Sequence, residues 1–246
     1  MRAVPFVCFL LAGLSRPLVA SSLTEWRFWD SNDGLADRYV DSISRDRSGA
    51  IWATHGDQRA ISRFDGLTFE RLQTPFRYND HRFDTLDGKS GWAFEEDGLR
   101  HLQAGKWELF PEIRAGKQRS PDLRVLDLGG SRALLLMSGR LVRFSALGKH
   151  LEPLPFPSPR SEIGSLRTLE RGPDGSVWII GDKGVAHFEY GPLGDSPYSW
   201  KEYPMANLAV DRPEFPVVCG GGEMFFTARS KGSAERLILH LHEGKW

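Results

Sequence analysis

Two stretches of seven residues, HLQAGKW at 101–107 and HLHEGKW at 240–246, share five identical positions. Chance is a poor explanation for this match, so we expect an internal repeat. Other parts of the chain also contain a glycine followed by a short strand-like segment with a large apolar residue at its centre. These central residues are Trp52, Trp92, Leu134, Trp178 and Phe225. Their spacings of 40, 42, 44 and 47 residues are typical of one four-stranded propeller blade.

Each repeat contains short β-rich segments separated by Gly and Asp turns. The first repeat shows four of them, at 40–43, 49–52, 61–66 and 69–72. A four-stranded sheet has an apolar face that it cannot bury alone, and radial stacking of several sheets covers these faces. The sequence therefore predicts an all-β protein, a β-propeller with about five four-stranded blades, over residues 21–246.

Closure of the ring allows two interpretations. The segment WRFW at 26–29 resembles the outermost strands at 107–110 and 200–203, so we expect it to complete the last blade. In one interpretation this strand closes a five-bladed ring. In the other, the chain is the front part of a larger propeller.

The first twenty residues have a different character. Arg2 precedes an apolar run at 4–14, and the small residue Ala20 suits cleavage by signal peptidase. Eleven apolar residues are fewer than the ~20 that span a bilayer. We predict a signal peptide over 1–20, a periplasmic or secreted protein and no membrane span within this chain. Its removal leaves Cys219 as the single cysteine, so no internal disulfide is expected.

The charge balance argues against nucleic acid as a partner. The chain has 32 Lys+Arg and 32 Asp+Glu, so its formal net charge is zero. A nucleic-acid-binding surface normally has an excess of basic residues, and no Lys/Arg run supplies one locally.

Catalytic and metal-binding motifs are weak. No Gly-x-Ser-x-Gly elbow supports nucleophilic catalysis. His240 and His242 lie on one face of a predicted strand, but no third ligand follows at a suitable spacing. His240 also shares its repeat position with His101 and His187, which favours a role in blade structure. We therefore predict no catalytic residue, no metal and no cofactor.

The candidate ligand site follows from the fold. Propellers usually bind ligands at the face formed by the loops that lead into each innermost strand and by the turns between the second and third strands. The lead-in loop at 73–83 is long and rich in rings and cations, which suit stacking on sugars and binding of carboxylates. An ordinary surface loop explains it equally well. The candidate residues are His55, Asp57, Arg59, Phe76, Arg77, Tyr78, His81 and Arg82.

One repeat pattern has a recognisable family resemblance. It comprises Asn32-Asp33-Gly34-Leu35, the strand at 40–43, DRSGAIWAT at 46–54 and ISRFDG at 61–66, and residues 165–188 give a second copy. The pattern resembles the two-component regulator propeller repeats of extracytoplasmic sensor regions in bacterial signalling proteins. The resemblance implies a seven-bladed periplasmic propeller that detects a ligand, often a glycan fragment, and signals through a membrane helix downstream.

We therefore expect an extracytoplasmic ligand-sensing propeller that binds a small molecule or an oligosaccharide without catalysis. Two alternatives stay open. One is a secreted propeller enzyme, because streptogramin-lyase-like propellers have a similar Gly-x-Ile-Trp strand. The other is a free secreted scaffold or adhesion propeller. A homodimer also stays open.

Overall fold

The computed structural model describes a large part of the chain after residue 27. The described residues are 28–40, 42–55, 60–74, 83–95, 97–114, 124–154, 160–189, 199–210 and 213–246. The signal peptide predicted at 1–20 lies outside them. Within these ranges, nineteen strands form five antiparallel sheets, so the protein is an all-β propeller as predicted.

The first three sheets have four strands each. Blade 1 contains β1 (Ser42–Arg45), β2 (Ile51–Thr54), β3 (Ala60–Phe64) and β4 (Phe69–Gln73). Blade 2 contains β5 (Phe83–Asp84), β6 (Ser90–Glu95), β7 (Gly98–Gln103) and β8 (Lys106–Phe110). Blade 3 contains β9 (Arg124–Gly129), β10 (Arg132–Met137), β11 (Arg140–Ser145) and β12 (His150–Pro153). In each sheet the strands pair in chain order.

The last two sheets continue this pattern. Blade 4 contains β13 (Leu166–Arg171), β14 (Val177–Gly181), β15 (Gly184–Glu189) and β16 (Ser199–Pro204). Blade 5 has three strands in the described residues: β17 (Glu214–Val218), β18 (Met224–Arg229) and β19 (Arg236–Leu241). The helices of the described chain are two three-residue 3-10 turns, Ser31–Asp33 and Gly220–Gly222, far too short to cross a bilayer.

The strand register confirms the repeat alignment. The central residue of each second strand pairs with a basic residue of the third strand. The five pairs are Trp52–Arg63, Trp92–His101, Leu134–Arg143, Trp178–His187 and Phe225–His240. The third blade therefore keeps the register of the others although leucine replaces its tryptophan.

The two seven-residue stretches are hairpins that leave the third strand of a blade. Ala104 and Gly105 have φ angles of 50° and 75°, and Glu243 and Gly244 have φ angles of 49° and 77°. Two successive residues with positive φ form the tight turn that matches the twist of paired strands, and glycine adopts the second position without strain.

The core lies between neighbouring blades. Trp52 of blade 1 packs with Phe83 and Ala93 of blade 2, and Trp92 of blade 2 packs with Phe144 of blade 3. Two further clusters join blade 3 to blade 4 and blade 4 to blade 5. Each sheet thus covers an apolar face of the next one, which is the source of stability in a radial repeat.

The segment at 26–29, which we expected to complete the last blade, forms no strand in its described part, Phe28 and Trp29. Residues 26 and 27 lie outside the described residues. Trp29 instead packs on blade 1, with its ring centroid 5.1 Å from that of Phe64. Phe110, at the end of the outermost strand of blade 2, lies against Phe144 of blade 3 in the same way, at 4.9 Å. Trp29 therefore occupies the place of an outermost strand's last residue, without pairing to β19.

The end faces of the two terminal blades expose apolar side chains. On blade 1, Ile43 is 70% exposed on the face that carries Phe64, and on blade 5, Ile238 is 76% exposed on the face that carries Phe225. In the described part of the chain, no hydrophobic cluster joins blade 5 to blade 1. A five-bladed ring would require these faces to pack together.

Replacing a tryptophan between two blades should cost far more stability than replacing one at the end face. Trp92 is fully buried, whereas Trp29 is 38% exposed. We expect Trp92→Ala to lower the free energy of unfolding by about 3–5 kcal/mol, and Trp29→Ala to lower it by clearly less. Urea unfolding of both variants measures the difference. Equal losses would contradict a core located between the blades.

Candidate functional site

Of the eight predicted site residues, the structure describes His55. The other seven, Asp57, Arg59, Phe76, Arg77, Tyr78, His81 and Arg82, lie outside the described residues. His55 follows β2 and is fully buried. Its Nε2 lies 2.8 Å from Ser62 Oγ, and its Nδ1 lies 3.1 Å from the Tyr39 carbonyl oxygen. Its participation in ligand binding stays a prediction.

The protonation of His55 follows from these contacts. Burial lowers the pKa of the imidazole, which favours the neutral ring. Nδ1–H then donates to the Tyr39 carbonyl, and the Ser62 hydroxyl donates to Nε2. Ser62 Oγ also accepts the Ala36 N–H at 2.9 Å. His55 thus joins the segment before β1 to the β2–β3 hairpin.

A cleft of about 740 Å³ opens between blades 4 and 5. It lies on the face where we expected ligands, because its walls come from lead-in loops and from the turns between second and third strands. Met205 and Val210, both buried, form an apolar floor. The charged residues that line the cleft are Glu162, Arg167, Asp182, Lys183, Glu214, Arg229 and Lys231.

Backbone hydrogen bonds hold the walls of this cleft together. The Met205 N–H donates to the Lys183 carbonyl at 2.7 Å, and the Lys231 N–H donates to the Ala209 carbonyl at 2.9 Å. Val210 also pairs with Ser230 in an isolated bridge. The lead-in loop of blade 5 is therefore bound to a turn of blade 4 and to a turn of its own blade, so the cleft is fixed without a ligand.

One ion pair within the cleft is bidentate. Arg167 Nε donates to Asp182 Oδ1 at 2.5 Å, and a terminal nitrogen of Arg167 donates to Asp182 Oδ2 at 3.0 Å. Paired N–H donors fix the orientation of both groups. With Asp182 neutralised in this way, Lys183, Arg229 and Lys231 face the two remaining carboxylates, Glu162 and Glu214. The lining carries a surplus of positive charge.

The axis of the propeller contains a buried charged network. Arg171 of β13 donates to Asp84 Oδ2 of β5 at 2.7 Å and to the Asp127 carbonyl of β9. The Asp127 carboxylate is fully buried and accepts the backbone N–H groups of Leu86 and Gly129 at 3.0 and 2.8 Å. Burial raises the pKa of this carboxyl. The network ties together the innermost strands of blades 2, 3 and 4.

Glu170 lies beside this network on β13. Burial raises the pKa of its carboxyl to about 7, against the attraction of Arg124 and a hydrogen bond from Thr168. The charge of Asp84 raises it further. Glu170 therefore changes its protonation near neutral pH.

On the opposite face, a central cavity of about 640 Å³ is lined by turns of all five blades. Arg47 of blade 1 reaches across the axis into it, where its guanidinium would lie 2.9 Å from a Cβ added at Gly175 of blade 4. Gly175 has a φ of 84°, a left-handed backbone conformation that favours glycine.

The structure adds a third side chain, Glu223, to the two histidines that the sequence singled out. Glu223 lies beside His240 and His242 on blade 5, and one ligand atom from each lies within 4.8 Å of the others. We expected no third ligand, because Glu223 is seventeen residues before His240 in the chain. The alignment of the repeats could have predicted this contact, because pairing of Phe225 with His240 places Glu223 opposite His242.

Comparisons with known proteins support the fold. No protein-family model and no curated protein matches the chain. The structure is similar to a streptogramin B lyase, with a TM-score of 0.52 and 16% identity over 84% of this chain and 66% of the lyase. It is also similar to YCF48 bound to D1 peptide, with a TM-score of 0.51 and 16% identity over 85% of this chain and 68% of that protein.

A third similar structure is an extracellular domain assigned to a hybrid two component system of B. thetaiotaomicron. Its TM-score is 0.46, with 12% identity over 83% of this chain and 28% of that domain. The similarity to the streptogramin B lyase and to YCF48, at 16% identity, shows a shared β-propeller fold and no shared activity. The chain spans about two thirds of the length of the lyase.

The raised pKa of Glu170 predicts a pH-dependent stability. Between pH 4.5 and about 7 the folded protein keeps a proton that the unfolded chain has lost, so the free energy of unfolding falls as pH rises through this window. Gln resembles the protonated acid and cannot ionise. We expect Glu170→Gln to stabilise the protein at pH 8 by about 1–2 kcal/mol, allowing for solvent screening of a partly exposed group.

Urea unfolding at pH 5 and pH 8 measures this effect, and it should be much smaller at pH 5. Glu112→Gln is the matched control, because Glu112 is an exposed glutamate. An equal effect of Glu170→Gln at both pH values would show that the protonation of Glu170 in the folded protein does not change between them, and would contradict the raised pKa.

Proposed function

We propose that this chain belongs to the extracytoplasmic ligand-sensing β-propeller of a bacterial signalling protein of the two-component type. The observation that carries the proposal is the preformed cleft between blades 4 and 5, on the face where propellers usually bind ligands. The repeat pattern at 32–66 supports the family assignment, because it resembles two-component regulator propeller repeats.

The chemistry of the cleft favours an oligosaccharide that carries a carboxylate. Small-molecule sites combine an apolar surface with a few positioned polar groups. Met205 and Val210 offer a surface for the C–H face of a sugar ring, and Lys183, Arg229 and Lys231 offer cations for an acidic group. Glu162 and Glu214 can accept hydrogen bonds from sugar hydroxyls.

The cleft favours binding over nucleophilic chemistry. Within the described residues, no Ser, Cys or His lines it, so a hydroxyl or thiol nucleophile and an imidazole base are missing from its walls. We propose that the protein binds its ligand and leaves it unchanged. The alternative of a secreted lyase predicts that the bound ligand is cleaved, whereas a sensor leaves it intact.

Export is part of the same proposal, since a ligand sensor of this family faces the periplasm. We expect the protein isolated from the periplasm to begin at residue 21, as read by N-terminal sequencing or intact mass. A mature protein that retains residues 1–20 would contradict the predicted signal peptide.

Removal of two cations from the cleft should weaken the binding of an acidic oligosaccharide. We propose isothermal titration with a short oligouronate and, in parallel, with a neutral oligosaccharide of equal length. The double variant Arg229→Gln/Lys231→Gln should bind the oligouronate about tenfold or more weakly, because charge-assisted hydrogen bonds contribute about 1.5–3 kcal/mol each. Its affinity for the neutral sugar should change little.

Arg140→Gln is the matched control, since Arg140 begins β11 next to the corresponding turn of blade 3 and does not line the cleft. Equal affinities of the wild type and the double variant would remove the cleft from the proposal. Cleavage products in the titrated sample, detected by mass spectrometry, would favour the lyase alternative.

A further inference from the structure

Blade 5 has three side chains of the types that ligate metals close together on one face. Glu223 precedes β18, His240 lies on β19, and His242 follows β19 directly. His242 Nδ1 lies 2.6 Å from Glu223 Oε1, and His240 Nε2 lies 4.0 Å from Glu223 Oε2. The two imidazole rings have centroids 5.5 Å apart. Two imidazoles and one carboxylate thus converge on one point.

The fold positions each of these groups. The backbone register between β18 and β19 pairs Phe225 with His240, which places Glu223 opposite His242. The ring of His240 stacks on Phe225 at a centroid distance of 4.2 Å and an angle of 6°. The tight turn after His242 is closed by two backbone hydrogen bonds of 2.9 Å between His242 and Lys245. The backbone that carries the three side chains is therefore fixed.

The other blades provide an internal comparison. In blade 2, the register places Ser90 opposite Gln103, beside His101. The equivalent trio in blade 4 is Ser176, His187 and Glu189, and in blade 1 it is Ala50, Arg63 and Asp65. Neither these blades nor blade 3, with Arg143 at the histidine position, combine two histidines with a carboxylate. The repeat therefore explains the ring at position 240, but it does not explain why Glu223 and His242 stand beside it.

We propose that Glu223, His240 and His242 bind a divalent transition-metal ion, for which Zn²⁺ is the best fit. Imidazole nitrogen and carboxylate oxygen are standard zinc ligands at about 2.0–2.2 Å, and three protein ligands leave a fourth position for water or a second molecule. Side-chain exposures of 56% for His242 and 35% for Glu223, at the rim of the blade, give the ion access. Small rotations of these side chains bring the ligand atoms from within 4.8 Å to metal-binding distance.

The site differs from an ordinary surface ion pair in a measurable way. An exposed His–Glu pair contributes little and has no need of a metal. A metal site binds one ion per chain, releases protons from the histidines, and stabilises the folded state in proportion to the concentration of free metal.

Titration of the metal-free full-length chain with Zn²⁺ tests the proposal. We expect one ion per chain by isothermal titration, a melting temperature that rises with zinc concentration, and the visible absorption of tetrahedral Co²⁺ when cobalt replaces zinc. His242→Ala and His240→Ala should each weaken binding by at least about tenfold, since even the loss of an outer-shell partner costs that much. Glu223→Gln, which keeps the size of the side chain, should do the same.

Two controls make the outcome specific. His150→Ala removes an exposed histidine of blade 3, and Cys219→Ser removes the free thiol next to β17. Both variants should bind zinc as the wild type does. No saturable zinc binding by the wild type, or unchanged binding by the His240→Ala/His242→Ala double variant, would overturn the proposal. Loss of binding in either control would place the ion elsewhere and overturn it equally.

Discussion

The packing of one large side chain from the centre of each second strand against the next sheet is the interaction on which the rest of this structure depends. Trp52, Trp92 and Trp178 fill the space between consecutive blades, and Leu134 does so in blade 3 together with the leucines around it. A four-stranded sheet of about twenty residues has too little core of its own, so its stability comes from its neighbours. Every loop position, including the walls of the cleft, is set by this stacking.

The polar axis adds a second constraint. Arg171 connects β13 to the innermost strands of blades 2 and 3, and Arg124 of β9 donates to Thr168 of β13 at 3.1 Å. The same strand carries Arg167 into the cleft at its other end. Strand β13 therefore connects the network at the axis, through Arg171, with Arg167 in the cleft. A change in the charge of Glu170, two residues after Thr168, acts on this strand directly.

The fold was largely predictable because it depends on local spacing, whereas the sites depend on contacts between distant residues. The repeat of 40–47 residues predicts the position of each of the five blades in this chain and their register, and even the divergent third blade follows it. The cleft between blades 4 and 5 was missed because its walls come from four separate loops and turns, and no motif marks any of them. Glu223 was missed because a hairpin register, not a motif, brings it to His242. The resemblance of residues 26–29 to the outermost strands indicated a position at the edge of a blade. It did not indicate that Trp29 packs on Phe64 of blade 1, because that contact depends on side-chain packing.

Three histidines occupy the same position of the third strand in blades 2, 4 and 5, and stacking within the blade explains part of their role. His101 stacks on Trp92 at 4.1 Å, His187 lies on Trp178 at 4.8 Å, and His240 stacks on Phe225 at 4.2 Å, so all three serve the blade in the same way. Their environments then differ. His101 is enclosed by the next blade and burial lowers its pKa, whereas His240 stands on a face that the described residues leave open. Stacking occupies the face of the imidazole ring and leaves its nitrogen lone pair, which lies in the ring plane, for a ligand. A repeat position that serves stacking in several blades can therefore take a second role in one of them, because only in blade 5 do a histidine and a glutamate flank it in the described residues.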